Sequence, residues 1–454
     1  MPGRPNPSKS RAVSSPGAVS PARTCAFAVL RRVFEQDAYA DRALTAEAAG
    51  LAPRDRALAT ALAFGAVQRR ATLDHVAGRL MDRSVRRLQP PVLAALRLGL
   101  LQLLFMDGIA DHAAVNESVE LAKSSGGRGG AGLVNAVLRR AIREGDQLVA
   151  GLSDTTPAEA AIRYSVPEWL AELWFAELSP ETARLVLARI NEPAEAALRV
   201  NTLIATREEV LDALPVTAHT VPELPEALVL EAPFDVHGSE LWRQGAIMAQ
   251  SRGSMLAGRA LSPVPGARVL DLCAAPGAKA TQIAALSGGG ERLTAVERNP
   301  GRAAALRETL DRMGVHGAQV EVADAAQPRP EGAAFDAVLV DPPCSGLGTL
   351  QSRPDLRWRT SPERIEALSE LQARILRAGA DATAPGGALV YSVCTLTRAE
   401  GDAVIAAFLS QRPDFTAEPL AELLPAAASG PYLCTLPHRD GTDGFFIARL
   451  RRAG

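Results

Sequence analysis

Residues 268–279 read Arg-Val-Leu-Asp-Leu-Cys-Ala-Ala-Pro-Gly-Ala-Lys, and this stretch decides the fold. Its first five residues form a short apolar run that is typical of a buried strand, and the next seven are mostly small residues that suit a tight loop. The segment 280–286 continues with helical periodicity. A strand, a close-approach loop and a helix in this order open many nucleotide-binding α/β folds. The same order also occurs as an ordinary turn in any α/β protein, so the interpretation depends on the residues that follow.

Four further apolar strands follow along the chain. They are predicted at 293–297, 319–324, 335–341 and 388–393. Segments with helical periodicity separate them, including 303–313 and 364–380. Strands that alternate with helices predict an α/β fold with a doubly wound, mostly parallel sheet. Ligands of such a sheet bind outside the carboxyl ends of its strands.

Acidic residues stand at three of these carboxyl ends. Glu297 ends the second strand, Asp324 the third and Asp341 the fourth. An acid after the second strand binds ribose hydroxyls in nucleotide-binding folds. The chain has neither a G-x-G-x-x-G motif nor a Walker A motif, which argues against NAD and ATP. The combination favours S-adenosylmethionine as the cofactor, although any one of these acids taken alone is more often a helix cap or a solvated residue.

Residues 341–348, Asp-Pro-Pro-Cys-Ser-Gly-Leu-Gly, are the most specific stretch in the chain. Two prolines fix the backbone directly after a strand, so Asp341 and Cys344 are expected at the edge of the sheet. Cys394 ends the fifth strand. Parallel packing of these two strands is expected to bring both thiols to one cleft. The alternative is that both are buried free cysteines that act as small hydrophobic residues.

Two thiols suit methyl transfer to carbon 5 of cytosine, which is a poor nucleophile. A thiolate that adds to carbon 6 makes carbon 5 enamine-like, so that it can attack a sulfonium methyl group. The proton on carbon 5 must then leave and the thiolate must be eliminated, which requires a second group. An acid near the ring promotes the addition, and a nearby cation such as Lys279 favours ionisation of the nucleophile.

The rest of the chain divides into three further regions. Residues 1–22 are rich in Ser, Pro and Arg and are predicted to be a disordered basic tail. Residues 23–150 have helical periodicity and are predicted to form an all-α domain with a glycine-rich turn at 126–130. Residues 151–235 mix helical and strand-like pieces, with helices at 157–178 and 180–190 and a strand at 197–203. They are predicted to be a small α+β connecting subdomain that precedes the α/β domain at 236–454.

Composition and charge indicate a soluble protein with a nucleic-acid partner. Hydrophobic residues make up 47% of the chain and charged residues 22%, as in globular proteins. Residues 1–150 carry 21 lysines and arginines against 13 acids, whereas the remainder carries 28 against 38. The basic charge of residues 1–150 is compatible with an RNA-facing surface, and the alternative of equal weight is a merely solvated surface. Five widely spaced cysteines, with no membrane span or signal peptide in the sequence, predict a cytoplasmic protein without zinc or disulfides.

Residues 236–454 resemble the RNA cytosine-5 methyltransferases of the RsmB/NOL/NSUN superfamily. The matching motifs are 273–279, 341–349, 353–358, 391–396 and 443–449. Residues 54–80 and 133–140 resemble the NusB family of small helical RNA-binding domains. Together these matches cover nearly the whole chain after residue 22. The resulting arrangement of domains resembles that of the bacterial RsmB (Sun/Fmu) type of 16S ribosomal RNA enzymes.

The resemblance implies a role for each matching residue. Cys394 would be the nucleophile, Cys344 would assist product release and Asp341 would contact the cytosine ring beside Lys279. The residues implied to hold S-adenosylmethionine are Cys273, Ala274, Ala275, Pro276, Gly277, Ala278, Lys279, Glu297, Asp324 and Asp341. No metal is implied.

Three departures from the family pattern leave every catalytic group in place. Residues 278–280 read Ala-Lys-Ala where the family often has Gly-Lys-Thr, which retains the cation but removes a hydroxyl. Glu297 stands where Asp is common, and 392–395 read Ser-Val-Cys-Thr where many members have Ala-Thr-Cys-Ser. We therefore expect an active enzyme.

The implied partner is 16S ribosomal RNA or an assembling small subunit, and a monomer is favoured. The target base must be unpaired or flipped out of its stack. Candidates for RNA contacts are Trp358, Trp242, Tyr391, Arg353, Arg357 and Arg359, with ordinary core packing as the alternative for the aromatic residues. Two other functions stay open at this point: a non-catalytic RNA-binding or assembly factor, and a cytosine-5 methyltransferase that acts on tRNA.

Overall fold

The computed structural model describes residues 19–329 and 334–454, which form two compact units that divide between Glu168 and Trp169. The first unit is helical. Its helices are α1 Pro21–Glu35, α2 Ala40–Glu47, α3 Pro53–Gln68, α4 Arg70–Met81, α5 Pro90–Phe105, α6 Asp111–Ala150 and α7 Pro157–Tyr164, with a short 3-10 turn at Val85–Arg87. The predicted all-α domain is confirmed. Of the predicted tail, residues 1–18 lie outside the described residues, and α1 already begins at Pro21.

Prolines mark where several of these helices begin. Pro21, Pro53, Pro90 and Pro157 each occupy the first turn of a helix. Proline suits this position because its missing N–H would have no partner inside the helix in any case. The local sequence therefore predicts where these helices begin.

Helix α6 runs without a break through residues 126–130, so the predicted glycine-rich turn is wrong. Glycines let α5 and α6 pack closely. A methyl group at Gly130 would lie 2.6 Å from Cγ2 of Val92, and one at Gly99 would lie 2.7 Å from Cδ2 of Leu138. Each glycine costs a helix about 1 kcal/mol relative to alanine. The close packing of α5 against α6 offsets that cost. Helix propensity does not include this packing contribution, so the local sequence alone predicts a turn.

The second unit begins with a small four-stranded antiparallel sheet in the order β2-β3-β1-β4. Its elements are α8 Glu168–Glu177, α9 Pro180–Arg189, β1 Ala197–Val200, α10 Arg207–Ala213, β2 Ala218–Val221, β3 Leu224–Leu230, α11 Glu240–Arg243 and β4 Ile247–Ala249. The single helix predicted over 157–178 is wrong because α7 ends at Tyr164. Ser165 is left-handed, with φ 59°, and the residue before Pro167 disfavours helical geometry.

A larger mixed sheet follows, in the order β11-β12-β13-β9-β8-β5-β6-β7, with β10 paired to β13. Its strands are β5 Val269–Leu272, β6 Leu293–Val296, β7 Gln319–Glu321, β8 Phe335–Val340, β9 Thr383–Val393, β10 Phe415–Glu418, β11 Ala428–Ser429, β12 Tyr432–Cys434 and β13 Phe446–Arg452. The helices are α12 Arg252–Leu261, α13 Ala278–Leu286, α14 Pro300–Arg312, α15 Leu356–Arg359, α16 Pro362–Ala382, α17 Asp402–Gln411 and α18 Pro437–Asp440, with 3-10 turns at Leu347–Thr349 and Pro425–Ala427.

The parallel part of this sheet consists of the five strands that the sequence predicts. β5 pairs with both β6 and β8, and β8 pairs with β9, each in parallel. The chain order reverses at β5, since β6 and β7 lie on one side of it and β8 and β9 on the other. Crevices at such a reversal are where open α/β sheets bind ligands. The doubly wound, mostly parallel sheet is therefore confirmed, and the carboxyl ends of β5 and β8 are where a site is expected.

Apolar side chains cover both faces of the sheet. One buried cluster includes Leu256, Val269 and Ile283, and the other includes Leu270, Val338 and Leu376. β5 is buried along its whole length, as expected for a central strand with helices on both faces. Within the described part of the chain, no helix is both long enough and apolar enough to span a bilayer.

Candidate active site

The loop after β5 brings backbone close to the crevice. Cys273 has φ 69°, and Gly277 has φ 112° at the start of α13. A methyl group at Gly277 would lie 2.9 Å from Cγ2 of Thr309 and 3.1 Å from Cδ1 of Leu306, so α14 leaves room only for glycine. Small residues thus let the first turn of α13 approach the crevice with N–H groups that have no partner inside the helix.

The middle of this loop is held by its neighbours. The N–H of Ala274 donates to the carbonyl of Val296, 2.9 Å away, and Nη2 of Arg302 donates to the carbonyl of Ala275 at 2.6 Å. Both alanines are buried, whereas Pro276 is exposed. The loop is therefore fixed to β6 and α14 before any ligand binds.

Asp271 is a functional candidate that the sequence prediction left out. Its carboxyl group is fully buried at the end of β5, and neither oxygen has a hydrogen-bond partner among the residues that the structure describes. Burial raises the pKa of Asp271 well above its usual value, the charge of Asp341 raises it further, and that of Lys279 opposes the shift. A buried acid without partners is costly unless a ligand supplies one.

The two acids after β6 and β7 lie at the same edge of the sheet. Glu297 is buried; its Oε1 accepts the N–H of Asn299 at 2.8 Å, and its Oε2 lies 3.4 Å from Nε of Arg302. Asp324 is half-buried, and its Oδ1 accepts the N–H of Ala326 at 3.0 Å. Asp324 thus closes its own turn with one oxygen.

Lys279 and Asp341 form an ion pair across the crevice. Nζ of Lys279 donates to Oδ2 of Asp341 at 2.9 Å, and Oδ1 of Asp341 accepts from Oγ of Ser392 at 3.0 Å. The ammonium group also lies 5.4 Å from the ring centre of Phe445. Burial would lower the pKa of Lys279, but Asp341 and the charge of Cys394 raise it above its usual value. Lys279 therefore stays cationic beside Cys394.

The structure brings Cys344 and Cys394 together. β8 pairs with β9 so that Val340 lies opposite Tyr391, and the residues that follow the two strands are neighbours. The two Sγ atoms are 3.3 Å apart, and both side chains are partly buried. The hydrogen bond to Cys394, and then burial, raise the pKa of Cys344 well above its usual value. Burial likewise raises the pKa of Cys273.

Two of the candidates for RNA contacts are buried instead. Tyr391 is fully buried, and its hydroxyl donates to the carbonyl of Glu400 at 2.6 Å. Arg357 is also buried and donates to Oδ1 of Asn191 at 3.0 Å, so its predicted contact with RNA is wrong. Trp242 stacks on the guanidinium of Arg312 at 3.7 Å. Arg353 is exposed, and Trp358 and Arg359 are partly buried.

Three protein-family models match successive parts of the chain. The NusB family matches residues 20–143. A ferredoxin-like domain described as Methyltr_RsmF/B-like matches residues 166–237. The family described as 16S rRNA methyltransferase RsmB/F matches residues 258–451.

Full-length relatives carry the same architecture. The chain is 36% identical over 445 residues to the probable ribosomal RNA small subunit methyltransferase B of Synechocystis, covering 95% of this chain and 99% of the relative. It is 38% identical over 411 residues to ribosomal RNA small subunit methyltransferase B of Thermus thermophilus, covering 88% and 89%. The chain belongs to the RsmB/F family of 16S rRNA methyltransferases.

Solved structures place this RsmB/F family member among known folds. The crystal structure of PH0851 superposes with a TM-score of 0.80 at 25% identity, covering 96% of this chain and 99% of that one. NSun6 from Pyrococcus horikoshii, solved with SFG, superposes with a TM-score of 0.58 at 22% identity, covering 63% and 98%, and shows a shared fold. The predicted NusB-like domain and Rossmann-like methyltransferase domain are confirmed. The predicted domain limits at 150 and 235 stay predictions.

Across residues 19–329 and 334–454, no group of three or more histidine, cysteine and acidic side chains is arranged to bind a metal ion. The polar groups that meet at the carboxyl ends of β5, β8 and β9 are instead an orphaned acid, an ion pair and two thiols. Sequence reasoning identified the ion-pair residues and the thiols. It gave no role to Asp271, Ser392 or Phe445, although all three lie within motifs that it quoted.

Proposed function

We propose that this protein methylates carbon 5 of a cytosine in 16S ribosomal RNA, through a covalent bond between Cys394 and carbon 6 of the base. The observation that carries the proposal is the pair of thiols, 3.3 Å apart, beside the ion pair of Lys279 and Asp341. The alternative interpretation of two buried cysteines as small hydrophobic residues does not account for a cation and an acid beside them. Membership of the RsmB/F family supports RNA as the substrate.

S-adenosylmethionine, when bound, supplies an electrophilic methyl group on a sulfonium sulfur. The residues that would hold it are the loop 273–279, Glu297, Asp324 and Asp341, and the unpartnered carboxyl group of Asp271 fits an amino group of the cofactor. The glycine at 277 and the free N–H groups of α13 give the close approach that a cofactor needs.

Cys394 acts as the nucleophile. Its thiolate sulfur bonds to carbon 6, and the electron pair of the double bond between carbons 5 and 6 moves toward carbon 5, which becomes nucleophilic. The cationic side chain of Lys279 lies beside this sulfur. Asp341 keeps Lys279 in place with one oxygen, and it would contact the cytosine ring when the base is bound.

Cys344 assists release of the product. Its raised pKa comes first from its hydrogen bond to Cys394. Once Cys394 is bonded to carbon 6, Cys344 lies beside the adduct, since the two sulfurs are 3.3 Å apart. Cys344 is then placed to take part in removal of the proton from carbon 5. The bond between Cys394 and carbon 6 breaks as the ring double bond re-forms, and its electron pair returns to the sulfur of Cys394.

The test is methyl transfer and tritium release with RNA labelled at carbon 5 of cytosine. The substrates are 16S ribosomal RNA, small subunits and tRNA that lack the modification, and the matched control is Cys434→Ala, a cysteine outside the crevice. We expect Cys394→Ala to abolish transfer and Cys344→Ala to accumulate an RNA–protein adduct that survives SDS. Full activity of both variants would refute the two-thiol mechanism.

The substrates separate the remaining alternatives. Transfer to tRNA alone would contradict the ribosomal substrate while keeping the chemistry. Binding of RNA without any binding of S-adenosylmethionine would instead identify a non-catalytic RNA-binding factor.

A further inference from the structure

A fully buried carboxylate, Glu400, lies behind the two thiols, between β9 and α17. Its Oε1 accepts the backbone N–H of Ser345 at 2.8 Å and Nε2 of Gln372 at 3.0 Å. Its Oε2 accepts three hydroxyl groups, those of Ser345 at 2.6 Å, Thr397 at 3.0 Å and Thr395 at 3.1 Å. Five uncharged donors therefore converge on one acid.

The donors belong to the two segments that carry the thiols. Ser345 follows Cys344, and Thr395 follows Cys394, so the carboxylate bridges both segments one residue from each sulfur. The two hydroxyls also lie 2.9 Å from each other. Gln372 strengthens the bridge from α16, because its Nε2 also donates to the carbonyl of Pro343 at 2.9 Å.

The charge of this residue is costly. Removing a carboxylate from water costs several kcal/mol even in a relaxed protein interior. Among the described residues, no lysine or arginine forms an ion pair with Glu400. The compensation comes from charge-assisted hydrogen bonds, which are roughly twice as strong as neutral ones. A glutamine of the same length would avoid the cost of burial. Its N–H₂ group would, however, face the donors at one of the two oxygen positions, so at least two of the five hydrogen bonds would be lost.

We propose that Glu400 is a positioning residue that ties the segments of Cys344 and Cys394 together and thereby sets the separation of their sulfurs. The effect of Glu400 on methyl transfer rests on the proposed function, whereas its effect on the separation of the sulfurs does not. Loss of the tie is expected to let the segment after β8 move relative to the one after β9. A misplacement of about 1 Å at a reacting group lowers rates by roughly a hundredfold.

The first experiment measures the thiol pair directly. Phenylarsine oxide forms two As–S bonds with neighbouring thiols and releases water, so its tight binding requires two sulfurs close together. We expect Glu400→Gln to weaken this binding by about tenfold or more, because sulfurs held about 1 Å farther apart strain the bond angles at arsenic, and about 1.4 kcal/mol of strain is tenfold in affinity. Cys394→Ala defines the background, and Asp402→Asn, two residues along and bonded to Arg398, is the matched control that should bind as wild type does.

The second experiment measures methyl transfer. Glu400→Gln is expected to lower kcat by roughly 10- to 100-fold while KM for RNA and affinity for S-adenosylmethionine change by less than about threefold, because a positioning defect acts on the reacting atoms. Urea unfolding measures whether the variant is folded. Wild-type binding of phenylarsine oxide by folded Glu400→Gln would overturn the proposal, whatever the transfer assay gives.

Two further variants decide the matter if Glu400→Gln does not fold. Ser345→Ala and Thr395→Val each remove one hydroxyl donor from Glu400 and keep the acid. Weaker arsenical binding by both supports the tie, and unchanged binding by both overturns it. If the variants weaken binding of phenylarsine oxide as expected but the wild-type protein transfers no methyl group to cytosine, the proposed function fails and the positioning role stands.

Discussion

Gly348 offers a sharp test of how the segments around the thiols fit together. Its N–H donates to the carbonyl of Cys394 at 3.0 Å, and its carbonyl accepts the N–H of Gly444 at 2.8 Å. The segment after β8, the nucleophile segment and the turn before β13 therefore meet at one residue without a side chain. Gly348→Ala places a methyl group in this junction.

The size of the effect follows from the geometry. The new Cβ would lie 2.7 Å from the carbonyl carbon of Gly444 and closer still to its oxygen. Ordinary carbon–carbon contacts begin near 3.5 Å, so the carbonyl carbon alone requires the segments to separate by roughly 0.8 Å, and the nearer oxygen requires more. Overpacking of this kind costs about 1–3 kcal/mol of stability. A shift of about 1 Å in the same direction moves Cys394 and lowers transfer by roughly a hundredfold.

The assay compares urea unfolding and single-turnover methyl transfer for wild type, Gly348→Ala and a control, Gly132→Ala. A methyl group at Gly132, on the exposed side of α6, meets nothing within 4 Å, so the control should be neutral or stabilise by up to about 1 kcal/mol. If Gly348→Ala kept stability within about 0.5 kcal/mol and transfer within about twofold of wild type, the junction would not be as tight as the structure has it.

Three further predictions test other parts of the molecule. Burial raises the pKa of Asp443 to about 6 against a hydrogen bond from Ser251, so the folded state keeps a proton that the unfolded chain loses. As pH rises from about 4 to 6, the free energy of unfolding of wild type should therefore fall relative to that of Asp443→Asn, by at most about 3 kcal/mol. The same difference between the two proteins at both pH values would contradict this. Asp271→Asn should weaken S-adenosylhomocysteine binding about tenfold in calorimetry without lowering apo stability, since no hydrogen bond is lost, and unchanged affinity would count against the orphaned acid as a ligand group. Gly99→Ala should destabilise the helical unit by up to about 2 kcal/mol, because its clash with Leu138 costs about 1–3 kcal/mol and alanine regains about 1 kcal/mol of helix propensity; an unfolding midpoint above that of wild type would argue against the close α5–α6 packing.

Local sequence signals were enough for the parallel sheet. The strands at β5, β6, β8 and β9 are continuous apolar runs because helices cover both faces, and such runs are visible without any partner. The antiparallel strands β10 to β13 were not predicted. β10 to β12 span only two to four residues each and take their geometry from β13 and from one another, so no periodicity marks them in the chain. β13 spans seven residues and overlaps the motif at 443–449, for which no secondary structure was predicted.

The residues of the site likewise divide into those that the sequence predicts and those that depend on contacts between elements. Cys344 and Cys394 were predictable because each sits in a motif at a strand end. The orphaned state of Asp271 and the convergence on Glu400 were not, because both depend on which groups lie within hydrogen-bonding distance across elements. Glu400 and Ser345 are 55 residues apart in the chain. Distances of this kind are properties of the packed sheet and have no sequence signature.

The pairing of β8 with β9 contains an irregularity at its amino end. Phe335 pairs with Thr383 but Ala337 pairs with Ala388, so residues 384–387 form a bulge. From Ala388 onward, β9 is fixed on both sides, by β8 and by six successive pairs with β13. An insertion or deletion at 384–387 therefore changes the bulge and leaves the pairing of β9 from Ala388 onward unchanged. Insertions and deletions can accumulate there while the six residues that lead to Cys394 keep their register, which makes this bulge the natural place for length to vary among descendants of the same gene.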